Sequence, residues 1–255
     1  MKKALLVFGW LWLVVCLTGG ARAQKLPPQY PEGPAAGLEL AAQLRDLFPE
    51  EDATWQGSLK VRPRGAAPVS TPVQCRVTRG DGEWRVTYET QAIRSQGAEQ
   101  LTVIHRTNSP NQYLYAHAAT PAETLGAAAP LANPEADRPL AGSDFWLSEL
   151  GFEFYHWPKQ NRLTGKMRRS RPCLVLESSN PAAGPGGLAR VLTYIDIETR
   201  QPILAEAYGP DGKLLKEFSL GHLAKVNGKW VVKDLEISNR QTGSRTWLEF
   251  DTAEK

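Results

Sequence analysis

After Leu17 the 255-residue sequence has no apolar run approaching the roughly 20 residues that a membrane-spanning helix needs. It also has no glycine-rich phosphate loop, no Cys-x-x-Cys, no His-Glu-x-x-His and no Gly-x-Ser-x-Gly elbow. The local signatures of nucleotide binding, dithiol redox chemistry, zinc hydrolysis and serine hydrolysis are therefore missing. Histidine is scarce, with four residues. His105 and His117 lie on one expected hairpin, but pairing around Ser109 and Pro110 sets His105 near Leu114 and His117 near Thr102, which does not gather a metal site. Asp196 and Glu198 could be imagined as acid and base, yet the turn sequence around them explains them better. These residues point to a protein that is not an enzyme and needs no cofactor or metal. Blocks of like charge are lacking as well, apart from Lys166, Arg168, Arg169 and Arg171. The basic footprint of a nucleic-acid-binding protein is thus missing. The exception reads as a solvated turn or, alternatively, as a docking patch for lipid head groups or an acidic partner.

What is present begins with Lys2 and Lys3, an apolar stretch from Ala4 to Leu17, and the small-residue exit Gly19-Gly20-Ala21-Arg22-Ala23. This is the three-part pattern of a secretory signal peptide, with cleavage expected between Ala23 and Gln24 and a periplasmic mature chain. Cys16 raises a lipoprotein signal, but Val15 before it is bulkier than the residue such processing prefers. Cleavage removes Lys2, Lys3 and Arg22 and no acidic residue, so the formal charge falls from +3 to zero. Of the three cysteines, Cys75 and Cys173 remain in an oxidising compartment. They permit one disulfide, with a pair of buried thiols on separate strands as the alternative.

Residues 24–37 carry four prolines and no apolar period, which predicts an extended tether. Leu38, Ala41, Leu44 and Leu47 or Phe48 then recur at helical spacing until Pro49, predicting an amphipathic helix over 38–48. The period next changes to two: Trp55, Gly57, Leu59 and Val61; Val73, Cys75 and Val77; Trp84, Val86 and Tyr88 after the turn Arg79-Gly80-Asp81-Gly82. These are half-buried antiparallel strands. Leu101–Thr107 and Gln112–His117 form a further hairpin. Residues 118–141, rich in Ala and Pro, form an unusually long connection, and Ser143 caps a short helix to Leu150 carrying Phe145 and Trp146. Strands follow at 174–178, 190–195, 202–208, 214–224, 229–238 and 245–250, joined by turns that include Pro210-Asp211-Gly212 and Asn227-Gly228. No βαβ crossover is visible. Residues 38–255 read as a single, mainly β domain of a size able to bury its own core.

The motifs of the second half carry a family resemblance. Leu140-Ala141-Gly142-Ser143-Asp144-Phe145, Arg171-Pro172-Cys173-Leu174-Val175-Leu176-Glu177 and Tyr194-Ile195-Asp196-Ile197-Glu198-Thr199 with Gln201-Pro202-Ile203 come in order. They are followed by Gly209-Pro210-Asp211-Gly212-Lys213-Leu214, Val226-Asn227-Gly228-Lys229-Trp230 and Thr242-Gly243-Ser244-Arg245-Thr246. In order and spacing they resemble the LolA-like outer-membrane lipoprotein-sorting proteins from about residue 140 to the end. The chain departs from that pattern after Phe145, where Trp146-Leu147 stands in place of polar and acidic residues.

The resemblance implies a half-open antiparallel β-barrel, or curved sheet, with an N-terminal amphipathic helix and a short helix covering its apolar concave face. It further implies that this interior holds an acyl chain, a lipid or a lipoprotein anchor, with an inner-membrane transporter as a partner of the monomeric carrier. The expected lining residues are Trp55, Leu59, Trp84, Val86, Tyr113, Tyr115, Phe145, Trp146 and Leu150, each of which could equally fill the core. The alternative function is an envelope assembly or transporter-accessory protein that binds another protein and no lipid.

Overall fold

The computed structural model describes residues 30–251 apart from 48, 50, 107–108, 222 and 227–228. The expected cleavage site, Phe48 and the Asn227-Gly228 turn lie outside the described residues. Helix α1 (Pro34–Arg45) is followed by β1 (Ala53–Arg62), β2 (Val69–Gly80), β3 (Glu83–Thr90), β4 (Glu99–Arg106), β5 (Gln112–His117) and β6 (Ala129–Leu131). The short helix α2 (Leu147–Leu150) precedes β7 (Lys159–Arg168), β8 (Arg171–Ser179), β9 (Arg190–Asp196), β10 (Pro202–Tyr208) and β11 (Leu214–Leu220). The chain then forms β12 (Leu223–Val226), β13 (Lys229–Val232), β14 (Asp234–Asn239) and β15 (Arg245–Phe250).

Thirteen of these strands form one open antiparallel sheet in the order β6-β5-β4-β3-β2-β1-β15-β14-β11-β10-β9-β8-β7, while β12 and β13 pair with each other. Joining β1 to β15, with Leu59 opposite Leu248, ties the two ends of the chain together in the middle of the sheet. The concave face of one half buries Leu59, Val73, Val86, Leu101, Val103 and Ile237 against Leu140, Phe145, Leu147 and Leu150. In the other half, Leu174 and Leu176 face α1 through Leu40, Ala41 and Leu44, whereas the alternate residues Cys173 and Val175 pack on the opposite face with Tyr194 and Leu204. The two faces follow from the period-two geometry of a strand.

Helix α1 begins at Pro34, four residues before the expected start, so the end of the Pro-rich stretch is helical. Proline at the first helical position has no N–H to waste and a preset φ. Gly37 explains why the helix can lie so close to the sheet: a Cβ there would stand 2.5 Å from the backbone of Asn161 on β7. Strand β7 itself had no apolar alternation to reveal it. It is an edge strand, held to the start of α1 by reciprocal backbone bonds between Gly33 and Arg162 at 2.9 and 3.1 Å.

Several other expectations are corrected. The strands expected over 214–224 and 229–238 are each divided, because the backbone leaves the sheet around Gly221, which packs against Asp234 where no side chain would fit, and β12–β13 forms a separate arm. The long connection is not featureless: β6 adds to β5 with Leu131 opposite Tyr113, and Ala136 is fully buried. The helix expected over 143–150 shrinks to its last turn. Residues 139–146 instead form a tight reversal in which Leu140 N–H donates to Phe145 O at 2.9 Å and Ser143 Oγ accepts the Phe145 N–H at 3.2 Å. The β4–β5 register places His117 opposite Glu99 and Ile104 opposite Gln112, not His117 beside Thr102. Finally, Cys75 and Cys173 are free and buried. They sit on β2 and β8, with β1, β15, β14, β11, β10 and β9 between them, so the disulfide alternative fails and the buried-thiol alternative holds.

Candidate functional site: an apolar cavity on the concave face

Period-two alternation and cross-strand register together build a wall. Cys75 and Val77 on β2 stand opposite Tyr88 and Val86 on β3, Trp55 on β1 stands opposite Cys75, and Trp84 stands opposite His105 on β4. All of these residues line a cavity of about 440 Å³, a volume within the usual range for small-ligand sites. Phe218, Leu235 and Phe250 complete the sheet side, while Leu44, Arg45 and Leu47 from the end of α1 and Phe152, Tyr155 and His156 form the covering side. The turn after α2 puts Phe152 in the left-handed region at φ 52°, which is costly for a bulky residue. Ring contacts offset that strain: Phe152 meets Phe154, Tyr155 and Phe218 at centroid separations of 6.2, 6.0 and 6.3 Å.

The cavity is apolar in charge as well as in shape. Burial pushes His105 down to about 4, with Asn111 acting against it and His156 adding to it. Burial likewise pushes His156 down to about 4, helped by the neighbouring Arg45. The Cys75 thiol is pushed up to about 12 by burial, and burial also raises Tyr88 and Tyr155. At neutral pH Arg45 is therefore the one charged lining residue among those described, and its guanidinium donates to the Tyr155 carbonyl at 2.6 Å. No group of three or more metal-ligating side chains occurs among the described residues.

Of the residues singled out from the sequence, Trp55, Trp84 and Val86 line this cavity. Leu59, Phe145 and Leu150 are packed in the core beside it. Tyr113 and Tyr115 are core residues with satisfied tips, donating to Glu153 and Glu99 at 2.8 Å each. Trp146 is half-buried beneath Lys216, whose Nζ lies 3.8 Å from its ring centroid, and does not reach the cavity. Lys216 in turn is buried against Glu149 at 2.9 Å and donates to the Asp144 carbonyl at 2.9 Å. The Asp144 carboxylate accepts from Ser244 and Thr246 at 2.5 and 2.9 Å. Residues 144–149 are thus pinned to β11 and β15 by a buried polar network.

The basic residues occupy the β7–β8 hairpin, where Arg169 and Ser170 both take positive φ and Lys166 is exposed. Arg168 lies over the Tyr194 ring at 4.5 Å and Arg171 pairs with Asp196 at 2.5 Å. Asp196 does serve its turn: its Oδ1 accepts the N–H groups of Glu198 and Thr199 at 2.8 and 3.2 Å. It is nonetheless buried.

The sequence places Val77 and Tyr88 on half-buried strands and His105 on a hairpin but does not count them as lining residues, although Val77 and Tyr88 share the alternation of Cys75 and Val86. It had no means of finding Phe218, Leu235, Phe250 or the aromatic turn at Phe152–His156, which reach the cavity only through long-range pairing.

A family model described as "Uncharacterized protein" matches residues 82–255. Among solved structures, a DUF1329 family protein from Desulfovibrio piger is similar with a TM-score of 0.66 at 14% identity, covering 86% of this chain and 91% of that one. A domain described as an outer membrane lipoprotein-sorting protein from Vibrio parahaemolyticus gives 0.65 at 19% identity over 87% and 94%. A LolA superfamily protein from Nitrosomonas europaea gives 0.56 at 15% identity over 86% and 91%. No curated protein matches the chain in sequence.

Proposed function

The chain belongs to the family whose model matches residues 82–255 and has the LolA-like fold, and on that premise we propose that it is a periplasmic, non-catalytic binding or carrier protein for a hydrophobic acylated ligand. The observation that carries this reading is the cavity itself. Tightly packed interiors seldom leave 440 Å³ unfilled, and this space is walled by aromatic and aliphatic side chains with no interior charge. Each methylene moved from water into such a wall contributes about 0.8 kcal/mol. A chain of some fifteen methylenes thus gains on the order of 12 kcal/mol before the costs of ordering and association. That is enough for a carrier without a single catalytic group. Half-buried at the end of α1, Arg45 suits the polar end of such a ligand. The basic β7–β8 hairpin is the surface we assign to docking on the membrane-side partner.

The test is a titration of the full mature chain with an environment-sensitive fluorescent fatty acid. Saturable binding with a blue shift is expected. Val86→Trp, which fills the cavity from its inner wall, should weaken binding at least tenfold while overpacking costs only about 1–3 kcal/mol of stability. Unaltered affinity in a folded Val86→Trp protein would show that the probe binds elsewhere.

A further inference from the structure

A second space adjoins the cavity, on the other side of the end of α1, and its chemistry is different. It is a groove of about 380 Å³ between α1 and the strands β8 and β9, floored by Leu40, Leu44, Leu174 and Ile195 and edged by Tyr30, Arg162 and Arg200. Arg162 is only 5% exposed. Its Nη1 donates to the carbonyl oxygens of Tyr30 and Pro31, which are neutral, and it forms no ion pair with a described residue. Burial pushes Arg162 below its usual range, with Glu32 and Tyr30 acting against that. Arg200 is exposed and holds a left-handed backbone at φ 59°, a region that disfavours any residue with a Cβ. Its guanidinium makes no hydrogen bond or ion pair with a described residue either. Both guanidinium carbons lie 5.7 Å from the centroid of the Tyr30 ring. Buried charges in folded proteins are normally paired; here two cations without an anion meet at one ring beside an apolar floor. On the opposite rim, Glu39 and Gln43 stand one turn apart on α1, with Gln43 Nε2 donating to Glu39 Oε1 at 3.3 Å.

We propose that this groove is a second binding site, separate from the cavity and independent of the acyl-binding reading, which takes the C-terminal carboxylate of a peptide ending in a large apolar residue. Guanidinium groups match the planar carboxylate with paired N–H donors, and capture of a chain end by such donors is a recurrent mode of peptide recognition. Leu40, Leu44, Leu174 and Ile195 receive the last side chain. Glu39 and Gln43 offer an acceptor and a donor to the peptide group before it. An unbranched fatty acid has no N–H for Glu39, and a doubly charged phosphate would meet that carboxylate as a repulsive neighbour, so the lining favours a singly charged peptide end over both.

The test uses the full mature chain, labelled with nitrogen-15 and titrated with N-acetyl-leucyl-phenylalanine or its C-terminal amide. The acid should shift the Nε–H resonances of Arg162 and Arg200 saturably and bind about tenfold more tightly than the amide, the value of one charge-assisted contact. Arg200→Gln alters an exposed turn side chain and leaves the fold intact; it should remove most of the preference for the acid while leaving the amide affinity unchanged. Arg162→Gln, if it folds, should do the same. 3-Phenylpropionate, which lacks the peptide group, should bind more weakly than the dipeptide acid. Equal affinity for acid and amide, or a preference that survives in Arg200→Gln, would overturn the site. Equal affinity for 3-phenylpropionate would overturn the peptide end as its ligand, and displacement of the fluorescent fatty acid by the dipeptide would place the dipeptide in the cavity and overturn the separate groove. A chain that binds the dipeptide acid in this way but no fatty acid would leave this site standing and remove the acyl-binding reading.

Discussion

At the scale of single residues, the strongest commitments lie where charge is buried. Lys216 and Glu149 are 2% and 7% exposed and 2.9 Å apart. Burial drives Lys216 below its usual range while Glu149 pulls it back up, and burial drives Glu149 above its range while Lys216 pulls it down. Removing one partner leaves an uncompensated buried charge, so Lys216→Met should cost about 3–5 kcal/mol in chemical denaturation. Adding Glu149→Gln should recover part of that loss, because the amide oxygen still accepts the Trp146 N–H now held at 2.7 Å. A double variant no more stable than the single one would refute the buried-charge account.

The histidines give a pH signature. His105 and His156 titrate near 4 when folded against about 6.5 as ordinary side chains. Between those values the unfolded chain binds more protons than the folded one, so stability rises with pH across the window and is lost as pH falls from about 6.5 toward 4. His105→Phe should flatten the dependence of thermal stability on pH in that range. An unchanged slope would mean that His105 is not held neutral.

At the scale of elements, α1 and the segment around α2 cover the concave face in different ways. The α2 segment is fixed: Phe145 and Leu147 are fully buried and the network through Asp144, Glu149 and Lys216 ties it to the sheet. Its amides at 149–151 should exchange slowly, near the global rate. Helix α1 rests on close backbone approach instead. Gly37→Ala should push it from β7 and destabilise the protein by about 1–3 kcal/mol, and should also change the fluorescent fatty-acid affinity, because Leu44 and Arg45 at the other end of α1 line the cavity. A stable variant with unaltered affinity would separate α1 from the site.

Legibility followed the same division. Strands β1, β2 and β3 were plain from Trp55 to Leu59, Val73 to Val77 and Trp84 to Tyr88, since one buried face imposes alternation. Strand β7 escaped notice because an edge strand between a helix and solvent carries Lys159, Asn161, Thr164 and Lys166 without apolar rhythm. Residues 143–150 misled because Ser143 and Phe145 fit a helix start, while Ala141 and Gly142 at positive φ make a reversal that composition does not announce.

At the scale of the whole molecule, the sequence indicated a curved antiparallel sheet but not its wiring. Pairing β1 with β15 and β14 with β11 is what brings Trp55 next to Phe250, with ring centroids 6.2 Å apart, and brings Phe218 and Leu235 to the cavity that Val86 also lines. That closure makes a cavity out of faces that the sequence reading could only call apolar. The same wiring leaves β6 and β7 as the two edges of the main sheet, which do not meet, so the sheet is open. The central claim is that this concave cavity carries an acylated ligand. The most direct measurement is native mass spectrometry of the full chain, exported to the periplasm and purified without detergent. The account expects a fraction of the protein to carry a discrete added mass that dissociates on activation into an acyl-containing species and that is lost in Val86→Trp. Protein found only at the apo mass that also fails to take up added acyl ligand, or an added mass that Val86→Trp retains, would contradict it.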